Sequence, residues 1–265
     1  MKNLNLRSSN FINYIFGRYV SREEQLALDL EGKEREIEGD WQKYIMNYGN
    51  IHEKHGIAEW VVWAEEMPSH ILDKQKSFSV PNWLDLDQEE TISLSSTPDG
   101  IKSDFSCILE VKCSMGGKSC YKDLPKDKLP QIYGQQMVLN SWLESQKNKE
   151  RVEKTHLINW TPNHTKIWEC KRNEEFENYL KKYLEIYSWA LLNEKDDELK
   201  KPIEQFKGGI EADVVGENIH LSWDIDKNLF LDEMLAVRKT QTGETLQKIV
   251  YEDASGLTET QAAFK

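Results

Sequence analysis

The period of the apolar positions changes along this chain, and each change marks an element. From Trp41 to about Met67, residues Trp41, Tyr44, Ile45, Tyr48, Ile57, Trp60, Val61 and Ala64 fall near helical spacing. Gly49 and Gly56 weaken the middle, so the stretch reads as two helices or as one with a break, ended by Pro68. Between 77 and 113 the period shortens. FSVPNWLDL and TISLSS are short β-rich runs, Thr97-Pro98-Asp99-Gly100 is a turn signal, and CILEVKC is a strand. Gly116-Gly117 and the lysine-rich segment to Lys128 read as a loop. Pro130 then opens a helical stretch to about Gln146, since proline is tolerated in a first turn. His156–Trp160 and Thr165–Cys170 form a hairpin turning around Pro162-Asn163-His164. Phe176, Tyr179, Leu180, Tyr183, Tyr187, Ala190 and Leu191 give an amphipathic helix.

The first forty residues read as a short helix over FINYIFGRYV and then a solvated, charged helical connector from Arg22 to Asp40. The order is helices, a small sheet, a helix, a hairpin and a helix. That order is mixed α/β around a single core over 1–195, with 196–265 as a C-terminal extension of mixed signals, either a docking segment or an embellishment of the fold.

Composition narrows the class. Of 265 residues 38% are hydrophobic, with nine Trp and ten Tyr, enough for a core and too much for wholesale disorder. No apolar run approaches the ~20 residues that span a bilayer, and the best, Ile57–Ala64, contains Glu59. FINYIF is too short and polar for a signal-peptide core, and four scattered Cys fit reduced thiols, so the expected location is intracellular and cytoplasmic, with no membrane partner. The net charge of 34 − 46 = −12 argues against a protein that coats nucleic acid non-specifically, while leaving room for a basic cleft in an acidic shell.

The chemistry is concentrated in one segment. Asp99 lies in the Thr97–Gly100 turn, and ten intervening residues separate it from Glu110-Val111-Lys112. Strand alternation places Ile108, Glu110 and Lys112 on one face and Cys107, Leu109, Val111 and Cys113 on the other. Leu109 and Val111 then enter the core while Glu110 and Lys112 point into a cleft that Asp99 also approaches. A Glu-x-Lys pair alone is ordinarily solvated on a strand. Two converging carboxylates instead form a hard oxygen site suited to Mg²⁺ or Mn²⁺. Lys112 would orient or deprotonate an attacking water, or stabilise a charged phosphoryl transition state.

These residues resemble the PD-(D/E)xK nuclease motif. More closely, the chain is similar to the phage lambda exonuclease / YqaJ-type viral recombinase family. The likeness rests on Tyr48-Gly49-Asn50-Ile51-His52-Glu53, Thr97-Pro98-Asp99-Gly100, Glu110-Val111-Lys112-Cys113 and Pro130-Gln131-Ile132-Tyr133-Gly134-Gln135-Gln136-Met137, over about 5–190. It implies a restriction-endonuclease-like α/β core, a central mixed β-sheet flanked by helices. It implies that Asp99, Glu110 and the Val111 carbonyl bind metal, that Glu53 contributes to a second metal or its water shell, and that Lys112 is the catalytic lysine. Gln131 matches the family's helix glutamine near the nucleophile. Tyr133 stands where a second Gln is usual, and Gln135, one turn on, competes for the role. Ser9, in Arg7-Ser8-Ser9, resembles a serine that contacts a DNA 5′-phosphate. Arg7, Gln135 and Lys118 are read with it as DNA-contacting positions. The implied activity is Mg²⁺-dependent digestion of double-stranded DNA from its ends, 5′ to 3′, by a ring-shaped homotrimer with a single-strand annealing protein as partner. The alternatives are an endonuclease of the same fold and a silent DNA- or protein-binding module.

Other signals have plainer readings. Lys118, Lys122, Lys126 and Lys128 either track a DNA backbone or line a solvated loop interrupted by Asp123 and Asp127. Gly116-Gly117-Lys118-Ser119 lacks the earlier glycine of a phosphate loop, because position 112 is Lys. His52 and His55 are one residue too close for a zinc-protease helix. Cys107, Cys113, Cys120 and Cys170 lack paired metal-ligand spacing and read as structural, and Trp60, Trp63, Trp142, Trp160 and Trp168 read as core.

Overall fold

The CILEVKC segment alternates two kinds of apolar neighbour, and in a computed structural model of the chain it is the strand around which the protein is built. The structure describes residues 3–37, 39–67, 70–72, 77–84, 91–114 and 120–221. In chain order these form β1 (Asn3–Arg7), a 3-10 turn (Ser8–Asn10), α1 (Phe11–Phe16), α2 (Arg22–Glu31) and α3 (Asp40–Trp63). There follow β2 (Ile71–Leu72), β3 (Phe78–Leu84), β4 (Thr91–Ser96), β5 (Gly100–Lys102) and β6 (Cys107–Cys113). After these come α4 (Leu129–Ser145), β7 (Lys154–Trp160), β8 (Thr165–Lys171), α5 (Glu174–Asn193) and β9 (Ala212–Ile219).

Six strands form one mixed sheet in the order β2-β5-β6-β7-β8-β9. β6 and β7 run parallel, joined through α4, and the other neighbours are antiparallel. A three-stranded sheet, β1-β4-β3, stands beside it. The alternation of β6 is used on both faces. Cys107, Leu109 and Val111 pack with Tyr44, Tyr48 and Trp60 of α3, while Ile108 packs with Leu139 and Leu143 of α4. The central strand is thus buried on both sides, as parallel pairing with helical crossovers requires.

α3 is one unbroken helix. Gly56 sits where the helix meets the sheet, and a Cβ there would lie 2.7 Å from Val111 Cγ1. The glycine that weakens the helical pattern is what lets helix and strand approach. Gly134 does the same for α4, since a Cβ there would lie 2.4 Å from the Phe11 ring. The hairpin and the amphipathic helix stand where the periodicity places them, as β7–β8 and α5, and α4 begins one residue before Pro130.

The N-terminus differs from the sequence reading. Residues 3–7 form a strand, parallel to β4 with Arg7 opposite Ser95. Beyond residue 195, β9 pairs with β8, and Leu199 is buried in the core with α5. Pro68, the Gly116-Gly117-Lys118 segment and 222–265 lie outside the described residues. Trp60, Trp160 and Trp168 are buried, and all four cysteines are free thiols, three of them buried. Among the described residues no helix is long and apolar enough to cross a membrane.

Candidate active site

Asp99 is carried by the short link between β4 and β5. Because Gly100 pairs with Leu109 across β5 and β6, continuing that register sets Asp99 beside Glu110. Its Oδ2 accepts a hydrogen bond from the Val111 backbone N–H at 2.7 Å. Glu110 points to the α4 side of the sheet and is 1% exposed. Its Oε1 accepts from Lys112 Nζ and from Gln131 Nε2 at 2.7 Å, and its Oε2 accepts from Gln135 Nε2 at 2.6 Å. Gln131 and Gln135 are four apart on α4 and therefore share a face. The sequence left them as competitors, and both reach the same carboxylate. Among the described residues the buried amide oxygen of Gln135 has no hydrogen-bond partner, a cost that a bound water or substrate donor would relieve.

The electrostatics of the cluster are lopsided. Burial, then the like charges of Glu110 and Glu53, push the Asp99 carboxyl well above the usual carboxylate range, against the pull of Lys112 and the Val111 N–H. Burial alone would lower the Lys112 ammonium, but Glu110, Asp99 and Glu53 together hold it above its ordinary value. Lys112 therefore stays charged, and with a side chain 26% exposed it is the member of the pair that reaches solvent. Glu53, half-buried near the middle of α3, adds a third carboxyl group to the field around the Lys112 ammonium.

This donor set suits a hard divalent cation such as Mg²⁺ or Mn²⁺. Among the described residues no three of His, Cys, Asp and Glu group closely enough to hold an ion by themselves. Two oxygen donors with an uncompensated negative field match Mg²⁺, which keeps several waters and uses one or two carboxylates plus substrate phosphate rather than an all-protein cage. Asp99 and Glu110 are the residues that would hold it.

The other residues singled out in the sequence spread over the surroundings. Ser8, not Ser9, is buried, and its hydroxyl bonds Ser96 Oγ at 3.0 Å, three residues before Asp99. Ser9 is exposed on the same turn, which packs on β4 and α4. Arg7 is exposed and paired with Glu34. Lys118 lies outside the described residues. His52 and His55 face each other through Nδ1 atoms 2.9 Å apart. Asn159 on β7, whose Asn159-Trp160-Thr161 glycosylation sequon reads as chance in an intracellular chain and which nothing in the sequence ties to the site, is buried and bonded to the ends of the segments that flank the site.

No protein-family model and no curated protein matches the chain. In three dimensions it is similar to the alkaline exonuclease LHK-Exo from Laribacter hongkongensis, with a TM-score of 0.51 and 12% identity over 72% of this chain and 89% of that one. The solved structure of SSO0001 overlaps less well, with a TM-score of 0.39 and 14% identity over 74% of this chain and 79% of its own. A mixed sheet flanked by helices, overlapping that exonuclease over most of its length, is the restriction-endonuclease-like fold.

Proposed function

We propose that the chain is a metal-dependent deoxyribonuclease that hydrolyses linear double-stranded DNA from its ends, 5′ to 3′, in recombination or end resection. The observation that carries this reading is the meeting of Asp99, Glu110 and Lys112 at one point of a nuclease fold. The homotrimeric ring and the annealing partner belong to the same reading through the family resemblance alone.

Each residue has a job that follows from its surroundings. Three hydrogen bonds fix the Glu110 carboxylate, which leaves roughly one of its about four acceptor positions for a further partner. The Val111 N–H fixes Asp99 against the same point. Mg²⁺ bound by these two would polarise the phosphate and lower the pKa of a coordinated water. Lys112, charged and partly exposed, would donate a hydrogen bond to that water or to a phosphoryl oxygen where negative charge accumulates. Gln131 and Gln135 hold Glu110 in place, and burial of the carboxylate keeps bulk water from screening it.

A linear duplex labelled at one 5′ end, with nicked and covalently closed circles as controls, tests the end dependence. With Mg²⁺ the linear DNA is expected to disappear, the 5′ label to be released early, and the closed circle to survive. Cutting of the closed circle would move the assignment to an endonuclease. Binding without cleavage under any divalent ion would leave a DNA-binding module on a nuclease fold.

A further inference from the structure

We propose that Asn159 is a positioning residue of the candidate active site: it locks the backbone of Lys112 and so sets the direction in which the ε-amine points. The inference rests on the nuclease reading above. Asn159 lies opposite Lys112 in the parallel β6–β7 pairing and is fully buried. A buried amide in a strand is costly unless every polar atom is partnered. Here each is. Nδ2 donates to the Lys112 carbonyl at 2.8 Å and to Ser114 Oγ at 2.7 Å, and Oδ1 accepts from the Tyr121 N–H at 2.6 Å.

The bonds do not serve the sheet interior. β6 ends at Cys113, and the last backbone contact of its edge is Ser114 N–H to the Trp160 carbonyl at 2.9 Å. At that end Lys112 must hold Glu110 with a long side chain that has many rotamers. One amide fastens the Lys112 carbonyl, the residue after the strand, and the returning chain at Tyr121. The Cys120 thiol adds a bond to the Asn159 carbonyl at 3.1 Å. A fully satisfied buried network of this kind specifies one arrangement of its members. Its member nearest the chemistry is Lys112, so the consequence of losing it falls on the direction of the ammonium.

The test compares three variants of the full chain. Asn159→Leu deletes all the amide bonds. Asn159→Asp keeps the acceptor for Tyr121 and deletes the donors to Lys112 and Ser114, and it serves if the leucine variant does not fold. Asn140→Leu is the control: that amide clamps Val152 by bonds of 2.8 and 3.1 Å, away from the site. Both Asn159 variants are expected to lose about tenfold or more in kcat on linear duplex with KM within about twofold, because misplacing a catalytic group costs rate rather than binding. Asn140→Leu is expected to keep its kcat. Acylation by acetic anhydride, read by mass spectrometry, reports independently of activity. Lys112 is expected to label faster in the Asn159 variants relative to Lys154, which sits on the same strand as Asn159 and pairs with Glu169. An unchanged kcat, or a loss matched by Asn140→Leu, or Lys112 and Lys154 labelling faster together, overturns the proposal. If the unmodified chain cleaves nothing, the nuclease reading falls, and the labelling ratio alone upholds or overturns the positioning role.

Discussion

Lys112→Ala is expected to reduce DNA cleavage by about a thousandfold while leaving KM and duplex binding nearly unchanged, the range over which a positioned proton-transfer group contributes to rate. The expectation comes from the geometry of the pair. The ammonium touches Glu110, which Gln131 and Gln135 also hold, so the variant removes a charge at the reacting centre without removing the packing around it. Glu110 keeps two neutral donors. The buried carboxylates then lose the cation that pairs with Glu110, and a broken buried pair costs on the order of a few kcal/mol. The metal-free variant should therefore melt lower than the unmodified chain. Mg²⁺ should raise its melting temperature by more, because it replaces the missing charge. Cleavage within about tenfold of normal would remove Lys112 from the mechanism.

Acid should unfold the protein through buried histidines where α3 meets the sheet, His52 and His55 on the helix and His156 on β7. His52 is pulled down to about 3 and His55 to about 4, in both cases by burial first; His55 then adds to the drop at His52, and the Lys54 charge acts on both. Burial also lowers His156, against the pull of Glu169. The folded values lie below the unfolded value of about 6.5, so the unfolded chain takes up these protons first. Stability is complete above about pH 6.5 and is lost as pH falls toward the folded values, by up to about 1.4 kcal/mol per pH unit for each histidine. Asp99 acts with the opposite sign, since its folded carboxyl is raised. Urea unfolding in EDTA between pH 7.5 and 4.5 measures the slope. His52→Phe keeps a ring in place to stack on Trp160, where the rings are 4.8 Å apart, and it should flatten the pH dependence by about one proton. Parallel curves for the two proteins would mean that His52 takes no part.

Much of this was legible because it depends on local periodicity. Alternation in CILEVKC separates Glu110 and Lys112 from Leu109 and Val111, and the Thr-Pro-Asp-Gly turn returns Asp99 to the same strand end. A four-residue interval on α4 puts Gln131 and Gln135 on one face, but spacing does not say that one carboxylate accepts from both. What escaped depends on partners distant in sequence. β1 is five residues long with two asparagines, and nothing within it announces a partner about ninety residues on, where Asn5 Nδ2 bonds Ser95 Oγ. Gly56 looks like a weak point in a helix until Val111 is seen against it. Asn159 reads as an intrusion in an apolar strand, and its three partners lie 38 to 47 positions away.

The central assignment is that Asp99, Glu110 and Lys112 hydrolyse DNA with a bound divalent cation. It is tested most directly by acid-soluble nucleotide release from a linear duplex, first after EDTA treatment and then across a Mg²⁺ titration, with Asp99→Asn and Glu110→Gln alongside. Release is expected to be absent in EDTA, to rise with Mg²⁺ for the unmodified chain, and to stay near background for both variants. Release that persists in EDTA, or no release with either Mg²⁺ or Mn²⁺, contradicts it.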